Sequence, residues 1–150
     1  MIQDAIVEVR LVASKKEKQD ARDFRQKHFF DARGFQDPYA ATLEQPNHIH
    51  WLLYKSDRIV GYAQAELWPN HRAALRIIVI EPASQGHGLG KYLMGVCEQA
   101  LKKRGVQHLH TEASPNAYVF YKKLGYAEMP FNPPDGEPTH PNDRAMRKTL

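Results

Sequence analysis

The stretch of sequence that decides the fold is IIVIEPASQGHGLGK, residues 77 to 91. Its first four residues are apolar at every position, as expected of a central strand that is covered on both faces. Three glycines within the five residues from Gly86 to Gly90 let the backbone turn its amides inward, and a helical pattern starts there. Successive amides at a helix N-terminus bind phosphate oxygens, and Lys91 adds a positive charge. The stretch therefore predicts a strand, a pyrophosphate-binding loop and a helix in direct succession.

Two common phosphate-binding motifs do not fit this loop. A P-loop needs glycine at the position of Gln85, and Ser or Thr where Tyr92 stands. The dinucleotide fingerprint needs its third glycine where Lys91 or Leu93 stands, and it belongs to a first strand, whereas this loop follows about four strands. The glycine spacing therefore indicates a different nucleotide-bearing ligand.

The rest of the chain predicts alternating strands and helices that form one domain over residues 1 to 150. The predicted strands are 5–12, 49–54, 59–67, 73–80, 106–113 and 145–149, and the predicted helices are 15–30, 37–45, 88–104 and 114–125. Ser114 and Pro115 suggest an N-cap and a first-turn proline for the last helix. Five of the ten prolines fall in 130–141, which predicts an ordered loop or a mobile flap there.

A second motif, NAYVFYKKLGY at residues 116 to 126, begins 26 residues after Gly90. Gln85, Gly88 and Gly90 match Gln/Arg-x-x-Gly-x-Gly/Ala, and the second motif ends in Tyr-x-x-x-Gly-Tyr. Together they resemble the acetyl-CoA-binding motifs of the GCN5-related N-acetyltransferase (GNAT) superfamily. The resemblance implies an α/β (α+β) fold: a central mixed, mostly antiparallel sheet of six to seven strands, with helices on both faces and a splay between strands 4 and 5. It also implies an enzyme that moves an acetyl group from acetyl-CoA directly to a primary amine, without a metal.

The resemblance also assigns roles to particular residues. The backbone of Ile78 and Ile80 would pair with the pantetheine arm, and the Ile80 N–H would stabilise the oxyanion. Tyr121 would act as general acid, although it also lies on an apolar helical stripe that predicts simple packing in the core. The implied cofactor-binding residues are Ile78, Ile80, Gln85, Gly86, His87, Gly88, Leu89, Gly90, Lys91, Asn116 and Tyr121.

The general base is left open by the sequence. Glu66, Glu112 and His110 could each reach an amine, directly or through water, and an amine that arrives partly neutral needs no protein base. His48 and His50, like His108 and His110, have metal-like spacing, but no cysteine or carboxylate set completes a site except with Glu112, so no metal is expected. The acceptor pocket is expected to be formed by residues 29–45 and 130–143, whose sequence does not identify the acceptor, a small-molecule or protein amine.

Composition excludes several classes of protein. The net charge of +4 is scattered among acids rather than gathered in a stripe, which argues against nucleic acid as a partner. No stretch approaches the about 18 apolar residues of a membrane span, and the N-terminus lacks a signal-peptide pattern, so we expect a cytoplasmic protein.

Cys97 lies on an apolar helical face and is predicted to be a buried, inert thiol. A non-catalytic acyl-CoA sensor and an RNA- or ribosome-associated protein are the alternatives, and a homodimer is compatible with the family.

Overall fold

A computed structural model describes residues 6–134 and 140–150. The predicted residue Ala5 and part of the proline-rich segment, 135–139, lie outside the described residues. The strands are β1 (Val7–Leu11), β2 (His48–Lys55), β3 (Arg58–Trp68), β4 (Arg72–Ile80), β5 (His108–Ala113), β6 (Ala127–Glu128) and β7 (Arg144–Thr149). The helices are α1 (Lys15–Arg25), α2 (Leu89–Lys103) and α3 (Tyr118–Lys123). None of the helices in this described part is long and apolar enough to cross a membrane.

The seven strands form one sheet in the order β1-β2-β3-β4-β5-β7-β6. Every neighbouring pair is antiparallel except β4 and β5, which are parallel. This mixed, mostly antiparallel sheet confirms the fold class that the resemblance implied. The predicted strands all occur, with bounds within two residues of the prediction wherever the structure describes them.

The sheet opens between β4 and β5. Residues Arg72 to Leu75 of β4 pair with residues His108 to Thr111 of β5, and the pairing stops there. On its other side β4 stays paired with β3 as far as Ile80, with a register shift at Gln64 and Ala65. The second half of β4 therefore presents one backbone edge to a gap rather than to a strand, which is the predicted splay.

Each face of the sheet buries an apolar cluster under a helix. Helix α2 contributes Leu89, Leu93, Met94, Cys97 and Leu101 to the larger cluster, and α3 packs against the same cluster through Ala117, Phe120, Tyr121 and Leu124. Helix α1 covers the other face through Ala21 and Phe24, and its first turn is fixed by a capping box between Ser14 and Glu17. Cys97 is fully buried, as predicted, and burial raises the pKa of its thiol.

Three predicted helices differ from the structure. The first ends as an α-helix at Arg25 and continues as a π-helical turn, Gln26–Phe30. The segment predicted as a helix over 37–45 holds only a 3-10 turn, Ala40–Glu44. The N-cap prediction for Ser114 is wrong: α3 begins at Tyr118, and Ser114 contributes its backbone carbonyl, which accepts from the amides of Ala117 and Tyr118. Residues 115–117 form a turn first, so the regular helix starts later than the sequence signals suggest.

Candidate active site

A cleft with a volume of ≈ 1030 Å³ opens where β4 and β5 diverge. The strands provide Ile78, Val79, Ile80 and Glu112, the loop before α2 provides Ser84, Gln85, Gly86 and Gly88, and α2 provides Leu89, Gly90 and Lys91. The segment into α3 provides Ser114, Pro115, Asn116, Ala117, Phe120 and Tyr121. The cleft thus brings together ten of the eleven predicted cofactor-binding residues; His87, which is exposed, is not in its lining.

The free edge of β4 supplies directed backbone groups to the cleft. The amide of Glu81 donates to the carbonyl of Val60 on β3, at 2.9 Å. Because backbone groups of successive strand residues point to opposite edges, the N–H and C=O groups of Ile78 and Ile80 point away from β3, into the gap. The carbonyl of Ile80 already accepts from the side chain of Gln85 at 2.9 Å. The amides of Ile78 and Ile80 are therefore available to an extended ligand that lies along β4.

The glycine loop aims backbone amides at the same cleft. Gly86 and Gly88 have φ angles of 84° and 79°, in the left-handed region that disfavours side chains. Gly88 is the N-cap of α2, and its carbonyl accepts from Tyr92 at 3.0 Å. That bond is the first within the helix, so the amides of the three residues before Tyr92 have no partner within the helix: Leu89, Gly90 and Lys91. The positive end of the helix dipole adds to their attraction for an anion.

Gly90 has a packing reason to lack a side chain. A Cβ placed there would lie 3.3 Å from the nearest atom of the Phe120 ring on α3. The motif therefore combines two functions: glycines with positive φ turn the loop, and Gly90 lets the start of α2 approach α3. This contact brings the two motifs that were recognised in the sequence to one place.

Tyr121 lies at the floor of the cleft, 6% exposed, with its ring 5.3 Å from that of Phe120 and 5.4 Å from that of Tyr126. Burial raises the pKa of Tyr121 to about 12, and the nearby Thr111 side chain opposes that shift. The phenol is therefore protonated at neutral pH and able to donate. Its ring packs in the core while the residue lines the cleft, so both sequence interpretations of this position are compatible.

The comparisons with known proteins agree with this geometry. The family model described as Acetyltransferase (GNAT) family matches residues 14–126. The chain belongs to this family. The ribosomal protein bS18-alanine N-acetyltransferase of Haemophilus influenzae is 30% identical to the chain over 116 residues, which cover 73% of the chain and 79% of that protein. An uncharacterized N-acetyltransferase, ycf52, of Porphyra purpurea is 34% identical over 92 residues, covering 59% of the chain and 53% of that protein. The chain thus spans about half the length of ycf52.

Solved structures of GNAT proteins share the fold. Tetrahymena GCN5 superposes with a TM-score of 0.77 at 14% identity, over 95% of each chain. The PaiA N-acetyltransferase of Thermoplasma acidophilum, solved in complex with coenzyme A, superposes with a TM-score of 0.70 at 16% identity, over 97% of this chain and 99% of that one. At these identities the likeness shows the fold alone, and it places the splayed sheet among GNAT architectures.

The two carboxylates considered as bases lie in different surroundings in this GNAT fold. Glu112 is half-buried and lines the cleft. Glu66 lies outside the cleft lining and pairs with Arg76, whose Nη2 and Nε approach its Oε1 at 2.7 Å and 2.9 Å. The structure therefore brings Glu112, and not Glu66, together with Tyr121. Glu66 and Glu112 could not be distinguished from the sequence, because the pairing of β3 with β4 is what brings Arg76 next to Glu66.

The candidate histidines are placed away from the cleft. His110 is 2% exposed; its ring stacks on Trp68 at 5.6 Å and makes a tilted contact with Phe131 at 4.6 Å. Burial, followed by the charges of Arg72 and Arg147, lowers its pKa to about 4, so it is neutral at pH 7. Among residues 6–134 and 140–150, no three His, Cys, Asp or Glu side chains form a metal-binding group.

His48 and His50 belong to a buried polar network rather than to the cleft. The ring of His50 contacts the Tyr62 hydroxyl and the carbonyl of Thr42, and the ring of His48 contacts the Gln64 side chain. Burial lowers the pKa of His50 to about 4. These contacts give the His48 and His50 pair a structural explanation.

The cleft also has walls that carried no motif in the sequence. Phe29, Arg33 and Phe35 come from the turns after α1, and His140, Asn142 and Asp143 come from the segment before β7. Both groups fall inside the segments from which the sequence predicted the acceptor pocket. The individual residues had no recognisable signal, because turn residues show neither a hydrophobic period nor a spacing rule.

Proposed function

We propose that the chain is an acetyl-CoA-dependent N-acetyltransferase that moves the acetyl group directly from the thioester to a primary amine. The observation that carries the proposal is the convergence, in one cleft, of the free β4 edge, the amides of the glycine loop and the protonated Tyr121. The names of the GNAT relatives, and the coenzyme A bound to the PaiA structure, support the same donor.

The residues of the cleft fit the three parts of the donor. The amides of residues 86 to 91, with Lys91, would hold the pyrophosphate, because they combine unpaired donors with a helix dipole. The backbone of Ile78 and Ile80 would pair with the pantetheine amides as a strand would. Asn116 lines the same cleft and would contact the donor there.

Each requirement of the transfer has a candidate group in the cleft. The neutral amine attacks the thioester carbon, and the Ile80 N–H would stabilise the negative oxygen that forms; one such donor contributes about 10²- to 10³-fold in rate. The carbon–sulfur bond then breaks, and Tyr121 would give its proton to the thiolate. Glu112 would accept the proton that the amine loses, directly or through water. Acid and base contributions of about 10²- to 10⁴-fold are typical.

The two faces of β5 would let one cleft serve two substrates. Leu109 and Ala113 point into the cluster under α2, so Thr111, next to Tyr121, points to that side as well. Glu112 alternates with these residues and points to the opposite side of the sheet. The proposed acid and base would therefore act from opposite sides of the gap, which suits a donor on one face and an acceptor on the other.

A panel of amines tests the proposal. Purified protein is mixed with acetyl-CoA and one amine at a time: a diamine, amino acids, an aminoglycoside and a peptide with a free N-terminus. Amine-dependent release of free thiol supports the enzyme. Tight binding of acetyl-CoA without thiol release from any amine would indicate an acyl-CoA sensor instead. Salt-sensitive RNA binding without acetyl-CoA binding would indicate an RNA partner.

A further inference from the structure

One cation of the cleft is not accounted for by the donor site. Arg33 follows the π-helical turn after α1 and lines the cleft together with Phe29 and Phe35. The proposed phosphate-binding groups, in contrast, belong to the loop before α2 and to Lys91. Within the described part of the chain, Arg33 is thus a second cation of the cleft besides Lys91, and its wall carries no donor-binding motif.

The side chain of Arg33 is exposed, and two contacts with Phe29 orient its guanidinium. Its Cζ lies 3.6 Å from the centre of the Phe29 ring, and its Nη1 donates to the Phe29 carbonyl at 2.9 Å. Phe29 is itself positioned by an edge-on contact at 4.9 Å with Phe30, which is buried. An arginine that is stacked and hydrogen-bonded in this way loses little freedom when it binds a ligand.

The guanidinium of Arg33 has no ion-pair partner among residues 6–134 and 140–150. Burial lowers the pKa of Arg33, and the more distant charge of Asp143 opposes that shift. Arg25, eight residues earlier, shows the contrast: it is fully buried and its Nε lies 2.7 Å from Asp37 Oδ2. Arg25 is thus ion-paired within the protein, whereas Arg33 has donors left for a ligand anion.

The cleft is lined by charges of both signs, and the charge of Asp143 acts on Arg33. Arg33 is positive on the wall after α1, while Asp143, on the segment before β7, and Glu112, on β5, are negative. A ligand that complements this arrangement carries both charges. Its ammonium group would face the carboxylates, and its own carboxylate would face Arg33, with which a carboxylate forms charge-assisted hydrogen bonds.

We propose that the acceptor is a small amine that carries a carboxylate close to the amine, as a free α-amino acid does, and that Arg33 binds this carboxylate. This inference rests on the proposed acetyl transfer and narrows its acceptor. Arg33 is then a specificity-determining residue: it selects the acceptor and contributes little to binding of acetyl-CoA.

The test compares amino acids with their methyl esters, which keep the amine and side chain and lose the negative charge. Specificity constants for acetylation are measured for the wild type, Arg33→Gln and Arg33→Lys, with Arg22→Gln, an arginine of α1 outside the cleft, as the matched control. The ester amine is the less basic one, so the wild-type ratio of acid to ester mixes basicity with recognition. Comparing the acid-to-ester ratio of each variant with that of the wild type removes the effect of amine basicity, which is the same for every enzyme.

We expect Arg33→Gln to lower kcat/KM for the acids by about tenfold or more, the size of one charge-assisted hydrogen bond, while the esters change less than about twofold. Arg33→Lys should recover part of the loss, Arg22→Gln should behave as wild type, and the KM for acetyl-CoA should not change. Equal losses for acids and esters, or a raised KM for acetyl-CoA, overturns the role of Arg33. Transfer only to amines without a carboxylate overturns the acceptor class while leaving acetyl transfer intact; no transfer to any amine overturns both.

Discussion

Tyr121 joins the chemistry of the cleft to the packing of the core. Its ring is held by Phe120 and Tyr126, and its pKa of about 12 keeps the hydroxyl protonated through the neutral range. A phenol in this state remains a proton donor at neutral pH, and it can donate to the sulfur as negative charge develops there during cleavage of the thioester. The residue could be recognised from the sequence because the Tyr-x-x-x-Gly-Tyr ending is local.

Replacing Tyr121 with Phe keeps the ring and removes the proton donor. We expect kcat to fall by about 10²-fold with little change in the melting temperature, since general acids contribute in this range. Tyr118→Phe is the matched control, because Tyr118 lies on the same helix and its hydroxyl contacts Glu128 rather than the cleft. Steady-state thiol release measures both. A loss smaller than about threefold for Tyr121→Phe contradicts the acid role.

Gly88 has a positive φ of 79° at the N-cap of α2. Gly88→Ala forces a side chain into the left-handed region at a cost of about 1 to 2 kcal/mol, and the loop escapes that strain by turning its amides out of the cleft. We expect a weaker affinity for coenzyme A, by about tenfold, measured by calorimetric titration. Gly95→Ala, in the middle of α2 with nothing near its added methyl group, should leave affinity unchanged and stabilise the fold by about 0.5 to 1 kcal/mol. Equal affinities for the two variants would contradict the role of the loop.

At the scale of elements, the loop and β4 are linked by a contact that the sequence motif does not reveal. The motif suggests that Gln85 binds the ligand, whereas its side chain amide donates to the carbonyl of Ile80. This hydrogen bond ties the start of the loop to the end of the free edge. Gln85 thus positions the two backbone segments that are proposed to hold the donor.

Gln85→Ala tests this link. Without the donor, the Ile80 carbonyl is left unpaired in the cleft and the loop loses its attachment to β4, so we expect the KM for acetyl-CoA to rise about three- to tenfold. Gln85→Glu should be worse, because a carboxylate repels both the carbonyl and a pyrophosphate. Gln99→Ala, an exposed position on α2, is the control. Unchanged KM values for acetyl-CoA in both Gln85 variants would show that the hydrogen bond from Gln85 to the Ile80 carbonyl does not contribute to donor binding.

The elements that the sequence predicted well are those with local signals. Strand β4 has a continuous apolar run, helix α2 has a helical period, and glycines mark the turn between them. The π-helical turn was missed because the polar and aromatic pattern of α1 continues through it. In that turn the amide of Asp31 bonds to the carbonyl of Gln26, five residues back. The wider turn changes the helical phase, so that Phe30 is buried while Phe29 lines the cleft.

At the scale of the whole molecule, tertiary pairing separates residues that the sequence could not tell apart. The choice between Glu66 and Glu112 depends on which strand neighbours which, and on where β4 and β5 stop pairing. The acceptor walls join residues near 30 with residues near 140, a separation over which no local pattern extends. Two motifs were therefore enough to predict which residues would line the cleft on the proposed donor side, and no motif identified the individual residues of the proposed acceptor walls.

Two buried histidines predict how the whole fold responds to acid. His50 and His110 have folded-state pKa values of about 4, below their ordinary value of 6.5, because burial disfavours the charged ring. The unfolded chain therefore binds more protons between pH 6.5 and pH 4, so stability falls as the pH falls through this window. We expect a loss of up to about 2 kcal/mol per histidine in the free energy of unfolding between pH 7 and pH 4.5.

His110→Phe separates this effect from general acid denaturation. Phenylalanine keeps a ring in contact with Trp68 and Phe131 and cannot bind a proton, so the variant should lose less stability between pH 7 and pH 4.5 than the wild type. Urea titrations at several pH values measure the difference. His71→Asn, at an exposed turn with a φ of 59° that asparagine tolerates, is the control. The same pH slope in the wild type and in His110→Phe would contradict the assignment.

The most direct test of acetyl transfer from the β4–β5 cleft is a single-turnover experiment. Protein in excess over acetyl-CoA is mixed with an amine that proved active in the panel, quenched at intervals, and analysed for free thiol, acetylated amine and acetylated protein. Direct transfer predicts that thiol and acetylated amine appear together, in equal amounts and at one rate, and that the protein stays unmodified. Acetyl groups that appear first on the protein, or thiol that forms without acetylated amine, would contradict it.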